Sequence, residues 1–218
     1  MALRWPVVLF DFDGTVADTI ELIVSGYQYA FRTVLGREWD EAEIKTWIGS
    51  SLSASLGRAA PERAERLFEV YHAWNREHTE RLVRNYPGLP GLIWDLVAAG
   101  ARCGIVTSRR RISTDPILAL LGLDRLLPVL VADGEVERPK PQPDPIWAAL
   151  AALEAEPEQA VYVGDTVFDL RAAQAAAVPA LGVTWGAGTA ADLAACQPLA
   201  LVADADQLRS WLLPDPAP

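Results

Sequence analysis

Two short acidic runs carry residues whose types and spacing suit them to chemistry. The first, DFDGT, sets Asp11 and Asp13 one residue apart directly after the apolar run VVLF. Alternate side chains of an extended segment point the same way, so both carboxylates converge at its end. Two anions so placed raise each other's pKa unless a cation intervenes. Oxygen ligands without His or Cys suit a hard cation, most naturally Mg²⁺. Gly14 permits a tight turn there, and Thr15 brings a hydroxyl near the same point. Taken alone, DFDGT also reads as a solvated strand end with turn-forming Asp residues. The second run, GDTVFD, changes that balance: it places Asp165 and Asp169 after another apolar stretch, AVYVG. Carboxylates at two strand ends on one sheet edge argue for a metal site.

A third apolar stretch, CGIVT, ends in Thr107 and Ser108 and runs into Arg109, Arg110 and Arg111. Hydroxyls, backbone N–H groups and guanidiniums at a strand-to-helix junction are the usual means of holding a phosphate. At least one of the three arginines is expected to be a solvated charge at a helix start. Of the 19 Lys and Arg residues, only Lys45 and Lys140 are lysines, and Lys140 stands among prolines in RPKPQP. A chain that writes Arg wherever a charge faces water poses a question by writing Lys there.

The elements that must position these groups are legible as bursts of apolar residues. VVLF (7–10), CGIVT (103–107), PVLVA (128–132), AVYVG (160–164) and ALGVTW (180–185) are short and nearly continuous, as strands buried on both faces of a parallel sheet should be. Helical segments lie between them: LPGLIWDLVAAG closes on Gly100, and DPIWAALAALEAE follows an Asp-Pro start signal. This alternation predicts an α/β fold with a doubly wound, mostly parallel sheet whose ligands lie beyond the carboxyl ends of the strands. From Thr19 to Asn85 the alternation stops. Ile23, Tyr27, Ala30, Phe31 and Val34 follow helical spacing, as do Leu67, Tyr71, Trp74 and Leu82. Residues 18–86 are therefore expected to form a helical insertion, with 1–17 and 87–218 as the α/β core. His72 and His78 both fall in the insertion, six residues apart and so on different sides of a helix, which suits packing or surface roles rather than a shared metal.

Composition narrows the partners. The 218 residues are 51% hydrophobic and 22% charged, with a formal net charge of −10, which argues against nucleic acid or an anionic membrane surface. A small anion remains compatible, since a few local cations hold it. Cys103 and Cys196 give neither a disulfide framework nor metal spacing. No apolar run approaches the length of a membrane span or a signal segment, so a cytoplasmic protein is expected.

These elements, in this order, resemble the haloacid dehalogenase superfamily of phosphatases. DFDGT at 11–15, Thr107 after its apolar strand, Lys140 in RPKPQPDP and GDTVFD at 164–169 match the four family motifs, and the helical insertion matches the cap domain of many members. IGSSLSASL, YPGLPGL, PKPQPDP and GVTWG resemble the phosphoglycolate phosphatase and pyrophosphatase branch. The resemblance implies a Rossmann-like core and a small phosphorylated substrate. It implies Asp11 as nucleophile forming an aspartyl-phosphate and Asp13 as general acid–base. Asp11, Asp13 through its backbone carbonyl, and Asp165 would hold Mg²⁺, with Asp169 orienting a metal-bound water or Lys140 from behind. Thr15, Thr107, Ser108, Arg109 and Lys140 would hold phosphoryl oxygens. Lys140 then answers its own question: between Asp11, Asp169 and a phosphoryl group, a compact point charge on a slim stem fits better than a wide guanidinium. The insertion's inward face, parts of 19–26 and 47–53, would set substrate choice.

Three other readings share parts of this pattern. A sugar phosphomutase of the β-phosphoglucomutase type has the same motifs but returns the phosphoryl group to a sugar. A phosphonate-cleaving relative would need a cap lysine for a Schiff base; Lys45 in AEIKTW reads as an ordinary helix turn. A receiver-like phosphoacceptor also clusters Asp, hydroxyl and Lys on a doubly wound sheet, but it is shorter and lacks the insertion. Oligomeric state is not legible: tryptophans of the insertion suit an interface or internal packing.

Overall fold

The computed structural model describes residues 3–213. The chain enters at β1 (Val7–Phe10), turns through the short β2 (Ala17–Asp18), and runs through α1 (Ile20–Leu35), α2 (Glu41–Lys45), α3 (Leu52–Ala59) and α4 (Ala64–Leu82). It returns through β3 (Arg84–Asn85), α5 (Leu89–Ala98), β4 (Arg102–Val106), α6 (Arg111–Leu121), β5 (Val129–Val131) and α7 (Asp144–Ala152). It ends with β6 (Ala160–Gly164), α8 (Val167–Ala175), β7 (Ala180–Val183), α9 (Ala190–Ala195), β8 (Ala200–Val202) and α10 (Ala205–Leu212). Six strands form one sheet in the order β5-β4-β1-β6-β7-β8, with every neighbouring pair parallel. The expected α/β sheet is present, with β8 as a sixth strand that the sequence reading did not separate from its surroundings.

The continuous apolar runs have a simple cause: each strand buries both faces. In β1, Val8 and Phe10 pack with Leu92, Ile117 and Leu208 of α5, α6 and α10. Val7 and Leu9 face the other way, onto Ile146 of α7, Leu170 of α8 and Leu193 of α9. Period-two alternation thus divides one strand between two cores, and helices cover both faces of the sheet. Cys103 is a buried member of the first core, as its apolar setting suggests.

The inserted helices keep a core of their own, built on Tyr27, Phe31, Leu56, Leu67 and Tyr71. Its rings interlock, with Tyr27 and Tyr71 at 5.0 Å between centroids and Phe31 and Trp39 at 4.7 Å. Trp39 and Trp47 are half-buried in this stack, while Trp74 of α4 is half-buried against the core of the sheet domain. The exposed tryptophans are Trp94 on α5 and Trp147 on α7. Where the chain leaves and re-enters the sheet domain, β2 and β3 pair antiparallel through Ala17–Asn85 and Asp18–Arg84. That two-residue ribbon escaped the sequence reading because so short a pairing leaves no periodic signal.

Strand register sets the site. Phe10 aligns with Ile105 of β4 on one side and Val163 of β6 on the other. The residues that follow, Asp11, Val106–Thr107 and Gly164–Asp165, therefore emerge at one level. The chain crosses to opposite sides of β1 there, the position where ligands bind in open α/β sheets.

Candidate active site

Asp11 leaves β1 with its N–H still donating to the Val163 carbonyl at 2.9 Å, so its position is set by the sheet. Its side chain is buried, and Oδ1 accepts a hydrogen bond from Lys140 Nζ at 2.7 Å. The same ammonium donates to Asp169 Oδ1 at 2.6 Å and to the Tyr162 hydroxyl at 3.2 Å. Lys140 arrives on the loop between β5 and α7, where Pro139, Pro141 and Pro143 restrict the backbone. Arg138 stays on the solvent side of that loop, paired with Asp144 at 2.9 Å. The division between a buried Lys and an exposed Arg is the one the sequence pattern suggested.

Asp169 sits in the first turn of α8. Its Oδ2 accepts from the Thr166 hydroxyl at 2.6 Å and the Thr166 N–H at 3.0 Å, closing a capping box at the helix start. The carboxylate is thereby aimed back at Lys140. Asp165, fully buried, takes the Thr15 hydroxyl at 2.9 Å on Oδ1 and the Ala187 N–H at 2.7 Å on Oδ2. The backbone closes around it at two glycines. Gly14, at φ +82°, has no room for a side chain, since a Cβ would lie 2.3 Å from Asp165 Oδ2. A Cβ on Gly186 would lie 2.2 Å from the same oxygen.

Asp11, Asp165 and Asp169 each present an oxygen within 4.8 Å of the others. Burial, and then the charge of Asp169, pushes Asp11 well above the usual carboxylate range. The same two causes push Asp165 up to about 7. Burial works against the charge on Lys140, but Asp11 and Asp169 outweigh it and hold the ammonium's pKa well above the ordinary lysine value. Three buried carboxylates with one ammonium among them are short of positive charge. Their oxygens are hard donors with no sulfur or imidazole beside them, so the residues fit a divalent hard cation.

Asp13 lies apart from this group. The Arg109 guanidinium holds it, with Nε at 2.9 and 3.0 Å from its two oxygens and Nη2 at 2.8 Å from Oδ1. Thr19 adds its hydroxyl to Oδ1 at 2.7 Å. The three arginines after β4 thus have three different fates. Arg109 binds Asp13, Arg110 stacks over the Phe68 ring at 4.5 Å, and Arg111 pairs with Glu135 at 2.7 Å beside α6. Thr107 and Ser108 face the cleft above Asp11. The Thr107 hydroxyl accepts the Arg109 N–H at 3.0 Å, and the Ser108 hydroxyl donates to the Gly49 carbonyl of the insertion at 2.7 Å.

Of the residues singled out by sequence, Asp11, Asp13, Thr107, Ser108 and Arg109 line one cleft between the sheet and the insertion. Ile23, Trp47, Ile48, Gly49 and Leu52, from the two segments expected to face inward, line it as well. Lys140, Asp165 and Asp169 lie beneath its floor, and Thr15 is turned onto Asp165 rather than into the cleft. Lys45 pairs with Glu41 at 2.8 Å on the exposed side of α2. Tyr162 and Thr166 were missed. Tyr162 looked like one more apolar residue of a strand, whereas the T-x-x-D spacing of Thr166 and Asp169 was a readable capping signal.

Comparison with known proteins agrees with this geometry. The family model of the haloacid dehalogenase-like hydrolases matches residues 8–183. Pyrophosphatase PpaX of Bacillus thuringiensis is 33% identical over 178 residues, covering 82% of each chain. A hydrolase from Pseudomonas syringae superposes with a TM-score of 0.83 at 26% identity, over 93% of this chain and 95% of that one. A predicted phosphoglycolate phosphatase from Haemophilus somnus shares the fold, with a TM-score of 0.87 at 23% identity over 94% and 97% of the two chains. The match runs from β1 to β7, spanning every strand end that carries a residue of the site, and the chain is a member of the haloacid dehalogenase-like hydrolase family.

Proposed function

We propose that the protein is a Mg²⁺-dependent phosphatase that hydrolyses a small phosphorylated metabolite, a phosphoglycolate-like monoester or pyrophosphate, through an aspartyl-phosphate on Asp11. The observation that carries this reading is the buried charge group at the sheet edge. Asp11 shares the Lys140 ammonium with Asp169 through Oδ1, and Oδ2 has no hydrogen-bond partner among the described residues. The names of the relatives, pyrophosphatase and phosphatase, support the substrate class.

In this reading Asp11 Oδ2 attacks phosphorus, and the bond from phosphorus to the leaving oxygen breaks. Asp13 gives that oxygen its proton. Asp13 then takes a proton from a water whose oxygen attacks phosphorus, releasing inorganic phosphate and restoring the Asp11 carboxylate. A phosphate dianion approaching an anionic nucleophile is repelled, so positive charge is required where its oxygens sit. Lys140 supplies part of it, and the Thr107 hydroxyl and Ser108 backbone N–H offer donors from the β4 end. Asp11, Asp165 and the Asp13 carbonyl would hold Mg²⁺, with Asp169 behind them; the ion, when bound, neutralises further charge on the phosphoryl oxygens. Residues 18–86 act as a cap over the core of 1–17 and 87–218, excluding water from the site. Such a metabolite enzyme belongs in the cytoplasm, and among the described residues no helix is long and apolar enough to cross a membrane.

The test is phosphate release from phosphoglycolate and pyrophosphate with Mg²⁺, for the native chain and Asp11→Asn. The variant is expected to lose turnover by on the order of 10⁵-fold while keeping its fold. Substantial turnover in Asp11→Asn would sink the assignment.

A further inference from the structure

The acid–base candidate Asp13 does not stand free over Asp11. It is gripped by the two-pronged Arg109 guanidinium at 2.8–3.0 Å and by the Thr19 hydroxyl at 2.7 Å. Resting on the phosphatase reading, we propose that Arg109 and Arg110 read a second anionic group on the substrate, and that this group draws Arg109 away from Asp13. The enzyme is then selective for small phosphorylated compounds that carry a further carboxylate or phosphoryl group.

Four observations converge on this. An arginine fork binds carboxylate and phosphoryl oxygens in the same bidentate geometry, so an incoming anion competes directly with the Asp13 carboxylate. Arg110, one residue on, makes no ion pair among the described residues; its guanidinium lies on the Phe68 ring at the same cleft. Apart from the half-buried His72, Arg109 and Arg110 are the only basic residues lining that cleft among the described residues, and the insertion closes it with apolar Ile23, Ile48, Leu52 and Phe68 beside the uncharged Tyr27, Ser50 and Tyr71. A second anion therefore finds no other guanidinium or ammonium to pair with among the described residues of the cleft. Lastly, the main chain at 109 is tied independently of the side chain, its N–H to the Thr107 hydroxyl and its carbonyl to the Asp133 N–H at 3.0 Å. The fork is therefore able to swing while Thr107 and Ser108 stay in place. The nearby arginines are also felt by His72, which burial, and then Arg109, Arg110 and Arg76, push down to about 4.

The experiment compares phosphoglycolate with ethyl phosphate, which replaces the carboxylate by a methyl group, using the full chain with Mg²⁺. One bidentate charge-assisted contact corresponds to roughly 10- to 100-fold in kcat/KM, and the native protein is expected to prefer phosphoglycolate by at least that factor. In Arg109→Gln the preference collapses from both sides: phosphoglycolate loses kcat/KM, and ethyl phosphate gains kcat because Asp13 is no longer held. Arg109→Lys, which keeps the charge and loses the fork, falls between, and serves if the Gln variant does not fold. Equal losses on both substrates would mean that Arg109 is merely structural and overturn the proposal, as would a native enzyme without preference. Native protein that hydrolyses neither compound, nor pyrophosphate, overturns the phosphatase reading and this inference with it.

Discussion

Replacing Lys140 by Met keeps most of the stem's apolar volume and deletes one ammonium. The magnitude follows from what that ammonium holds. It makes charge-assisted hydrogen bonds of 2.7 Å to Asp11 and 2.6 Å to Asp169, and the three side chains are 1%, 4% and 0% exposed. Solvent therefore does not screen the pair. Breaking a buried ion pair by removing one partner costs about 3–5 kcal/mol, because the other charge is left uncompensated. Here two carboxylates are left facing each other, and proton uptake by one of them is the available relief. That places the expected loss near 3 kcal/mol rather than above it. For a chain of this size each kcal/mol moves Tm by about 2–4 °C, so Lys140→Met is expected to melt roughly 6–12 °C lower. Calorimetry in EDTA, which removes any metal contribution, reads this directly. The double variant Lys140→Met/Asp169→Asn should regain part of the loss, since one orphaned charge is gone. A fall of less than about 2 °C, or a double variant no better than the single one, would refute the view that Lys140 neutralises this pair. Lys140→Arg tests the chemistry: it conserves charge, but a wider head overpacks a space closed by Tyr162 and the Val106 carbonyl. Its kcat/KM should fall roughly 10²–10³-fold.

Two further outcomes follow from the site and its cleft. Gly14→Ala forces a side chain into a φ of +82° and against Asp165, and should cost about 1–3 kcal/mol and weaken Mg²⁺ binding measured by titration calorimetry; unchanged affinity counts against Asp165 as a ligand. His72, pushed down to about 4, should remain neutral by NMR well below pH 6. The sign is that of a depressed base: the unfolded chain binds the proton first, so His72 lowers stability as pH falls from about 6.5 towards 4. A His72 titration midpoint near 6.5 in the folded chain would count against the burial and the neighbouring arginines holding it down.

Much of the fold and of the placement of the candidate site was legible in the sequence, for one physical reason. A parallel strand buried on both faces must be written as a short apolar run, and the groups at its carboxyl end follow immediately in the chain. Asp11, Thr107 and Asp165 could therefore be placed on one edge before any geometry was known, and Lys140 singled out from the chain's preference for Arg. The run of helices between β2 and β3 was equally plain, because its 3.6-residue spacing breaks the alternation of strand and helix. What the sequence could not decide is which partner each group takes. Thr15 bonds to Asp165, 150 residues away, rather than facing the cleft, and Arg109 binds Asp13, 96 residues away, rather than waiting for phosphate. Tyr162, read as an apolar strand residue, turns out to share the Lys140 ammonium. Residue type and local period say that a charge or hydroxyl is present and near a strand end. Strand register, the paths of the loops and the competition among several donors for a few buried oxygens determine what it touches, and these exist only once the chain has folded.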